Sequence, residues 1–171
     1  MIRWTYFPKN RRLDALSEQI VKNFELVSKE ISSNSDETRD LKSNEVLEIL
    51  RPRMEEIGFD VESDKSTIGR VNVPVLFGEN GRVEKSFDAD CYHATMRYVI
   101  EVEAGRAVAN YQFLKDLFQC CVMVEVDFLA IAVKLRYRDK KDYETVCTFM
   151  DTLFASGRLS LPLKGILVIG Y

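Results

Sequence analysis

Histidine is almost missing from this chain of 171 residues, which has only His93. A multi-histidine metal site and a pair of histidines for acid–base work are both excluded, so any metal must be held mainly by oxygen. Cysteine is sparse too, and the four residues at 91, 120, 121 and 147 form no CxxC pair or other metal spacing. Two of them are adjacent inside an apolar helical pattern and read as buried, reduced thiols. No stretch reaches the roughly 18 uninterrupted apolar residues of a membrane span. The segment Met1-Ile2-Arg3-Trp4-Thr5-Tyr6 lacks the apolar region of a signal peptide. The expectation is a soluble, cytoplasmic protein with no membrane partner. Repeats and low-complexity segments are absent as well, which argues against solenoids and disordered tails.

Excess charge is small, a formal −3, and gives no overall attraction to nucleic acid. Phosphate binding depends on locally clustered Lys and Arg instead. Two clusters exist, Lys9, Arg11 and Arg12 near the start and Lys134, Arg136, Arg138, Lys140 and Lys141 late in the chain. A solvated surface accounts for both equally well.

What the sequence does have is a 46% apolar content, enough for the core of a single domain spanning 1–171. Leu13, Leu16, Ile20, Phe24, Val27 and Ile31 recur at spacings of three and four, predicting an amphipathic helix over about 11–33. A polar loop follows at about 32–42. Ser43 is a plausible N-cap for a second helix carrying Val46, Leu47, Leu50, Met54 and Ile57, interrupted at Pro52 and ended by Gly58.

From Phe59 the period shortens to two. Val71, Val73, Val75 and Phe77 alternate, and Gly78-Glu79-Asn80-Gly81 turns the chain into a second extended run, 82–92. A third run, 97–103, completes what reads as an antiparallel meander. Helical spacing returns over 107–122. The run 126–135 is apolar on both faces at its centre, as in a covered central strand. A helix over 140–156 and a strand over 165–170 close the sequence. The expected fold class is α/β, a mixed sheet with helices on both faces, since strand-helix-strand units join parallel neighbours.

The chemistry concentrates in Arg97-Tyr98-Val99-Ile100-Glu101-Val102-Glu103. Residues two apart on a strand share a face, so Glu101 and Glu103 converge at its C-terminal end. Two close carboxylates on a buried strand repel each other and are costly to desolvate, and a cation removes that cost. A hairpin returning through Ala94-Thr95-Met96 brings Asp90 opposite them, with Asp88 on the same face as support. These three carboxylates and the backbone carbonyl of Val102 suit Mg²⁺, or Mn²⁺, whose chemistry is metal-assisted phosphodiester cleavage. An exposed polar edge is the plainer alternative. Glu125 and Asp127 repeat the alternation but belong at the opposite end of a parallel strand.

Asp90 followed by ten residues and Glu101-Val102-Glu103 resembles the signature of the PD-(D/E)XK nuclease superfamily. The order helix-strand-strand-strand-helix-strand over 43–135 resembles its core, with an N-terminal helix and a helix-strand extension at 136–171. That superfamily's lysine is replaced here by Glu103, an ExE variant similar to restriction enzymes of the BamHI and BglII kind. The resemblance implies a restriction-endonuclease-like fold and a metal-dependent DNA endonuclease with Asp90, Glu101 and Glu103 as ligands. Glu103 then acts as ligand or general base. Glu45 matches the additional helix acid of many relatives, with Glu48 one turn on, although a first-turn Glu also complements a helix dipole. Arg106 is a candidate phosphate contact at the start of the 107–122 helix. A structural salt bridge is the alternative, and His93 is turned from the face of Asp90. A nucleic-acid-binding or assembly module of the same fold is the rival function. A homodimer through the first helix is a further expectation, in balance with that stripe completing the monomer's own core.

Overall fold

A computed structural model describes residues 1–63 and 68–171. Eight strands and four helices follow one another among the described residues, as β1 (Arg3–Phe7), α1 (Ala15–Leu26), α2 (Ser43–Glu56), β2 (Asp60–Val61), β3 (Val71–Phe77), β4 (Val83–Ala89), β5 (Cys91–His93), β6 (Tyr98–Glu103), α3 (Gln112–Val122), β7 (Phe128–Val133), α4 (Asp142–Ser156) and β8 (Gly165–Gly170). Six strands form one mixed sheet in the order β1-β8-β7-β6-β5-β2, and β3 and β4 pair as a separate hairpin. β6, β7 and β8 run parallel at its centre, joined by the crossover helices α3 and α4. β5 and β1 are antiparallel to their neighbours.

Alternation along the central strands divides the core in two. Tyr98, Ile100 and Val102 face one apolar layer with Ile20, Phe24 and Leu50 of α1 and α2. Val99, Leu129 and Ile131 face the other with Phe113 and Leu117 of α3 and Val146 and Met150 of α4. Both faces of β7 are covered, as its unbroken apolar run demands. The α/β class and the mixed sheet with helices on both faces follow the expectation.

Several boundaries differ from it. The first helix spans only Ala15–Leu26, held at its start by Asp14, whose Oδ1 accepts the Ser17 N–H at 2.9 Å. The chain then leaves the helix but keeps Val27 and Ile31 buried, so apolar spacing outlasts helical geometry. Leu16, Ile20 and Phe24 are all buried in the monomer's own core, and Leu13 packs against it. The apolar surplus expected to pair two copies through this helix is therefore spent inside one. α2 runs through Pro52 without interruption, and its N-cap is Lys42 rather than Ser43. The run 107–122 is a turn followed by α3, which begins five residues late at Gln112 after Tyr111 in left-handed conformation.

The expected meander is two structures. The run 82–92 breaks at Asp90, where β4 leaves its hairpin with β3 and the chain enters the main sheet as β5. β1, which sequence reasoning left out, adds an antiparallel edge to β8, with Arg3 opposite Gly170 and Phe7 opposite Ile166.

Candidate functional site

β5 pairs with β6 only from His93 opposite Tyr98 to Cys91 opposite Ile100. Beyond Ile100, β6 has a strand neighbour on its β7 side alone. Asp90 fills the gap: its Oδ2 accepts the Val102 N–H at 2.7 Å. The carboxylate thus stands where a ladder acceptor would have been, beside Glu101 and Glu103. Glu62 approaches the same place from the other side, its N–H donating to the Asp90 carbonyl at 2.8 Å.

Glu101 and Glu103 share the face of Val99, toward α3. Glu101 is only 9% exposed, and its Oε1 is buried with no hydrogen-bond partner. Glu103 is part-buried one residue pair further out. α3 lays Lys115, Asp116 and Gln119 over this face, and all three line a cavity of about 410 Å³ together with Asp90, Glu101 and Glu103. Asp116 is a fourth acid that sequence reasoning missed. It is 2% exposed, and its Oδ2 also lacks a donor. Its signal was available: an Asp on the apolar side of an amphipathic helix, between Phe113 and Leu117 and Cys120, is out of pattern.

Crowding the four carboxyls raises their affinity for protons. Burial, with the charges of Glu62 and Glu103 adding to it, pushes Asp90 up to about 7 despite the Val102 hydrogen bond. Burial and then the charge of Glu103 push Asp116 up to about 8. Burial, followed by Asp90 and Asp116, holds Glu101 far above the usual carboxylate range, and Glu103 is raised by burial as well. The contact between Asp116 and Glu103 raises the proton affinity of Asp116 and lowers that of Glu103. Lys115 is the cation that lowers all four. Arg106, exposed in the turn before α3, adds to it at Glu103.

The remaining expected residues lie elsewhere. Glu45 is exposed and folds back to accept the Lys42 N–H at 2.7 Å, capping the start of α2 from its N3 position. That bond and the helix dipole account for its position, and it is not among the residues lining the cavity. Glu48 is exposed one turn on. Ser43, freed from capping, accepts the Ala104 N–H at 3.0 Å and so ties α2 to the end of β6 beside the cavity. Arg106 is not at a helix N-terminus, because α3 starts six residues later. Asp88 is drawn to Arg70 at 3.2 Å at the cavity rim. His93 stands edge-on to Phe59, with ring centroids 5.2 Å apart, away from the acids. Glu125 and Asp127 are at the opposite end of the parallel strands, where Asp127 pairs with Arg97 and Lys164.

Oxygen donors of this kind suit a hard divalent cation, and the partnerless Glu101 Oε1 and Asp116 Oδ2 are the atoms such an ion would satisfy. Among the described residues, no set of three Asp, Glu, His or Cys side chains is arranged to hold a metal ion as it stands. No family model, no curated protein and no solved structure matches this chain.

Proposed function

We propose that the cavity is the active site of a Mg²⁺-dependent endonuclease that hydrolyses DNA, with a core of the restriction-endonuclease-like kind and Mn²⁺ as an alternative ion. One observation carries the reading: Asp90, Glu101 and Glu103 line a single cavity, and the deepest of them has a buried oxygen without a partner. An oxygen of that kind is costly unless a cation or proton meets it.

Asp90, Glu101 and Glu103 would hold the ion, with the Val102 carbonyl beside them. When bound, the metal lowers the pKa of water and neutralises charge growing on the scissile phosphate. The rest is done by the chain. Val102 fixes the Asp90 carboxylate through its N–H, so that ligand is oriented before substrate arrives. Glu103, which lines the cavity, would accept the proton of the attacking water and release it to solvent through its part-exposed side. Lys115 supplies to the cavity the ammonium that the resemblance places at position 103. Arg106 meets a phosphate oxygen beside Glu103.

A second reading has its own support. With the acids protonated or paired among themselves, the site is stable without an ion, as suits a nucleic-acid-binding or assembly module that does not cut. The two part on one experiment, calorimetric titration with Mg²⁺ and Mn²⁺ followed by incubation with supercoiled, linear and single-stranded DNA. Ion binding with cleavage supports the endonuclease. Neither ion binding nor cleavage leaves the module.

A further inference from the structure

We propose that a nucleic-acid strand leaves the carboxylate cavity along a cationic groove over Tyr137, its phosphates meeting Arg106, Arg136 and Arg138. The inference rests on the nuclease reading and names the surface that would hold its substrate.

The groove follows from the parallel sheet. Because β6 and β7 run side by side in the same direction, with Glu103 opposite Val133, the residues after each strand emerge at one end of the sheet. After β6 comes Arg106, and after β7 come Lys134, Arg136 and Arg138. The late basic cluster, indistinct in sequence from ordinary surface, is thereby brought next to the acids. A cavity of about 400 Å³, lined by Arg106, Lys134 and Tyr137, meets the carboxylate cavity at Ser43 and Glu103. A third, of about 540 Å³ and lined by Arg136 and Arg138, shares Tyr137 and Asp40 with the second. The three cavities are neighbours in series from Asp90 outward, each sharing two lining residues with the next.

The wall of the path is built. Lys134 is 2% exposed and donates its Nζ to the carbonyls of Arg39 and Leu41, fastening the polar segment after α1 against the sheet. Ser33 Oγ accepts the Leu135 N–H at 3.0 Å and donates to the Tyr171 carbonyl, fixing the other end of that segment. Tyr137 and Lys140 exchange backbone hydrogen bonds at 2.9 and 3.0 Å, and the turn between them carries Arg138 with its guanidinium 5.3 Å from the Tyr137 ring centre.

Arg106, Arg136 and Arg138 are exposed, and among the described residues none of them makes an ion pair. Arg39, on the opposite wall, is occupied with Asp36 at 2.7 Å and Asp40 at 3.8 Å. Three guanidiniums without an ion-pair partner among the described residues, lining the cavities beside the carboxylates in a chain of net charge −3, are a local feature against the global sign. A repeating phosphodiester, which places one charge at each step along a strand, matches such a line, and guanidinium is the side chain best suited to phosphate.

The test is fluorescence anisotropy with a labelled 20-nucleotide single strand, and its duplex, in EDTA so that nothing is cut. Wild type binds at low salt. The Arg136→Glu/Arg138→Glu variant weakens binding roughly tenfold or more, and lowers the salt slope for the single strand by about 1.4, two contacts at ~0.7 each. Arg106→Glu weakens it by itself. Arg12→Glu/Arg158→Glu, with the same change of charge outside the groove, stays within about twofold, and thermal melting confirms that each variant is folded. Wild type that binds neither probe, or equal losses in both double variants, overturns the groove. Binding that depends on the groove, without cleavage when Mn²⁺ is added, sinks the nuclease reading and leaves the groove standing. Wild-type-like binding by Arg136→Glu/Arg138→Glu with cleavage intact does the reverse.

Discussion

Asp90 Oδ2 and the Val102 N–H are joined at 2.7 Å across the point where β5 stops pairing with β6. The bond completes the sheet, the proposed function adds a metal ligand as a second task for Asp90, and a pair of substitutions separates the two. Asp90→Ala leaves a part-buried N–H without an acceptor and is expected to cost about 1–3 kcal/mol. Asp90→Asn keeps an acceptor and removes a charge that burial disfavours, so it melts at or above the wild-type temperature while losing cleavage. Thermal melting of both variants beside a nicking assay decides the matter. An Asn variant that melts with the Ala variant would show that the charge itself holds the strand end.

Metal binding is expected to fail in Glu101→Gln. The side chain has a buried oxygen with no other partner, and an amide offers a weaker ligand there. Calorimetric titration with Mn²⁺ measures the loss directly, and unchanged affinity in the variant would place the ion elsewhere.

Glu103→Gln is expected to keep the fold and lower cleavage at least roughly tenfold, the scale of a lost general base. Lys115→Ala is expected to lower it as well, with a larger effect at low salt, because its ammonium lies on the exposed side of α3 where ions screen it. Wild-type rates from Glu103→Gln on a DNA panel would remove that residue from the chemistry.

Stability is expected to fall as pH rises. Asp90 and Asp116 have folded-state values near 7 and near 8, above those of an unfolded chain. Between about pH 4 and pH 8 the folded protein therefore holds more protons than the unfolded one. Their contribution is fully present below the unfolded values and disappears as pH passes the folded ones. The melting temperature should drop from pH 5 to pH 8, less steeply in Asp116→Asn, and Mg²⁺ at pH 8 should restore part of it. A melting temperature that climbs over this interval, or an identical slope in the variant, contradicts the cluster's role.

The central strands were legible because burial writes itself directly into sequence. The unbroken Phe128–Val133 run and the acids at the end of β6 gave the doubly covered strand, the mixed sheet and the pairing of Glu101 with Glu103. Asp90 was legible for the same reason, as the one acid a hairpin could return to Glu101. What escaped depended on contacts distant in the chain. β1 is a strand because β8 offers it an edge, and Arg3-Trp4-Thr5-Tyr6-Phe7 has little alternation of its own. Glu45 looked like a helix acid aimed at the site, but local capping claims its side chain. Asp116 stood out of pattern on the apolar side of α3, but which strand that side would cover depended on the crossover onto β6.

At the far end of β6, Gly105 has φ +127 and lies directly under the Tyr137 ring, so that a methyl placed there would sit 2.4 Å from Cε2. Hydrogen in place of a side chain at that position lets an aromatic ring rest on bare backbone, next to the cavity that Glu103, Arg106 and Tyr137 line. The approach from the carboxylate cavity to the arginines is in this sense shaped by an atom group that is not there. One added carbon would overlap that ring and strain the backbone, so Gly105→Ala would displace one or the other without touching a single charged residue.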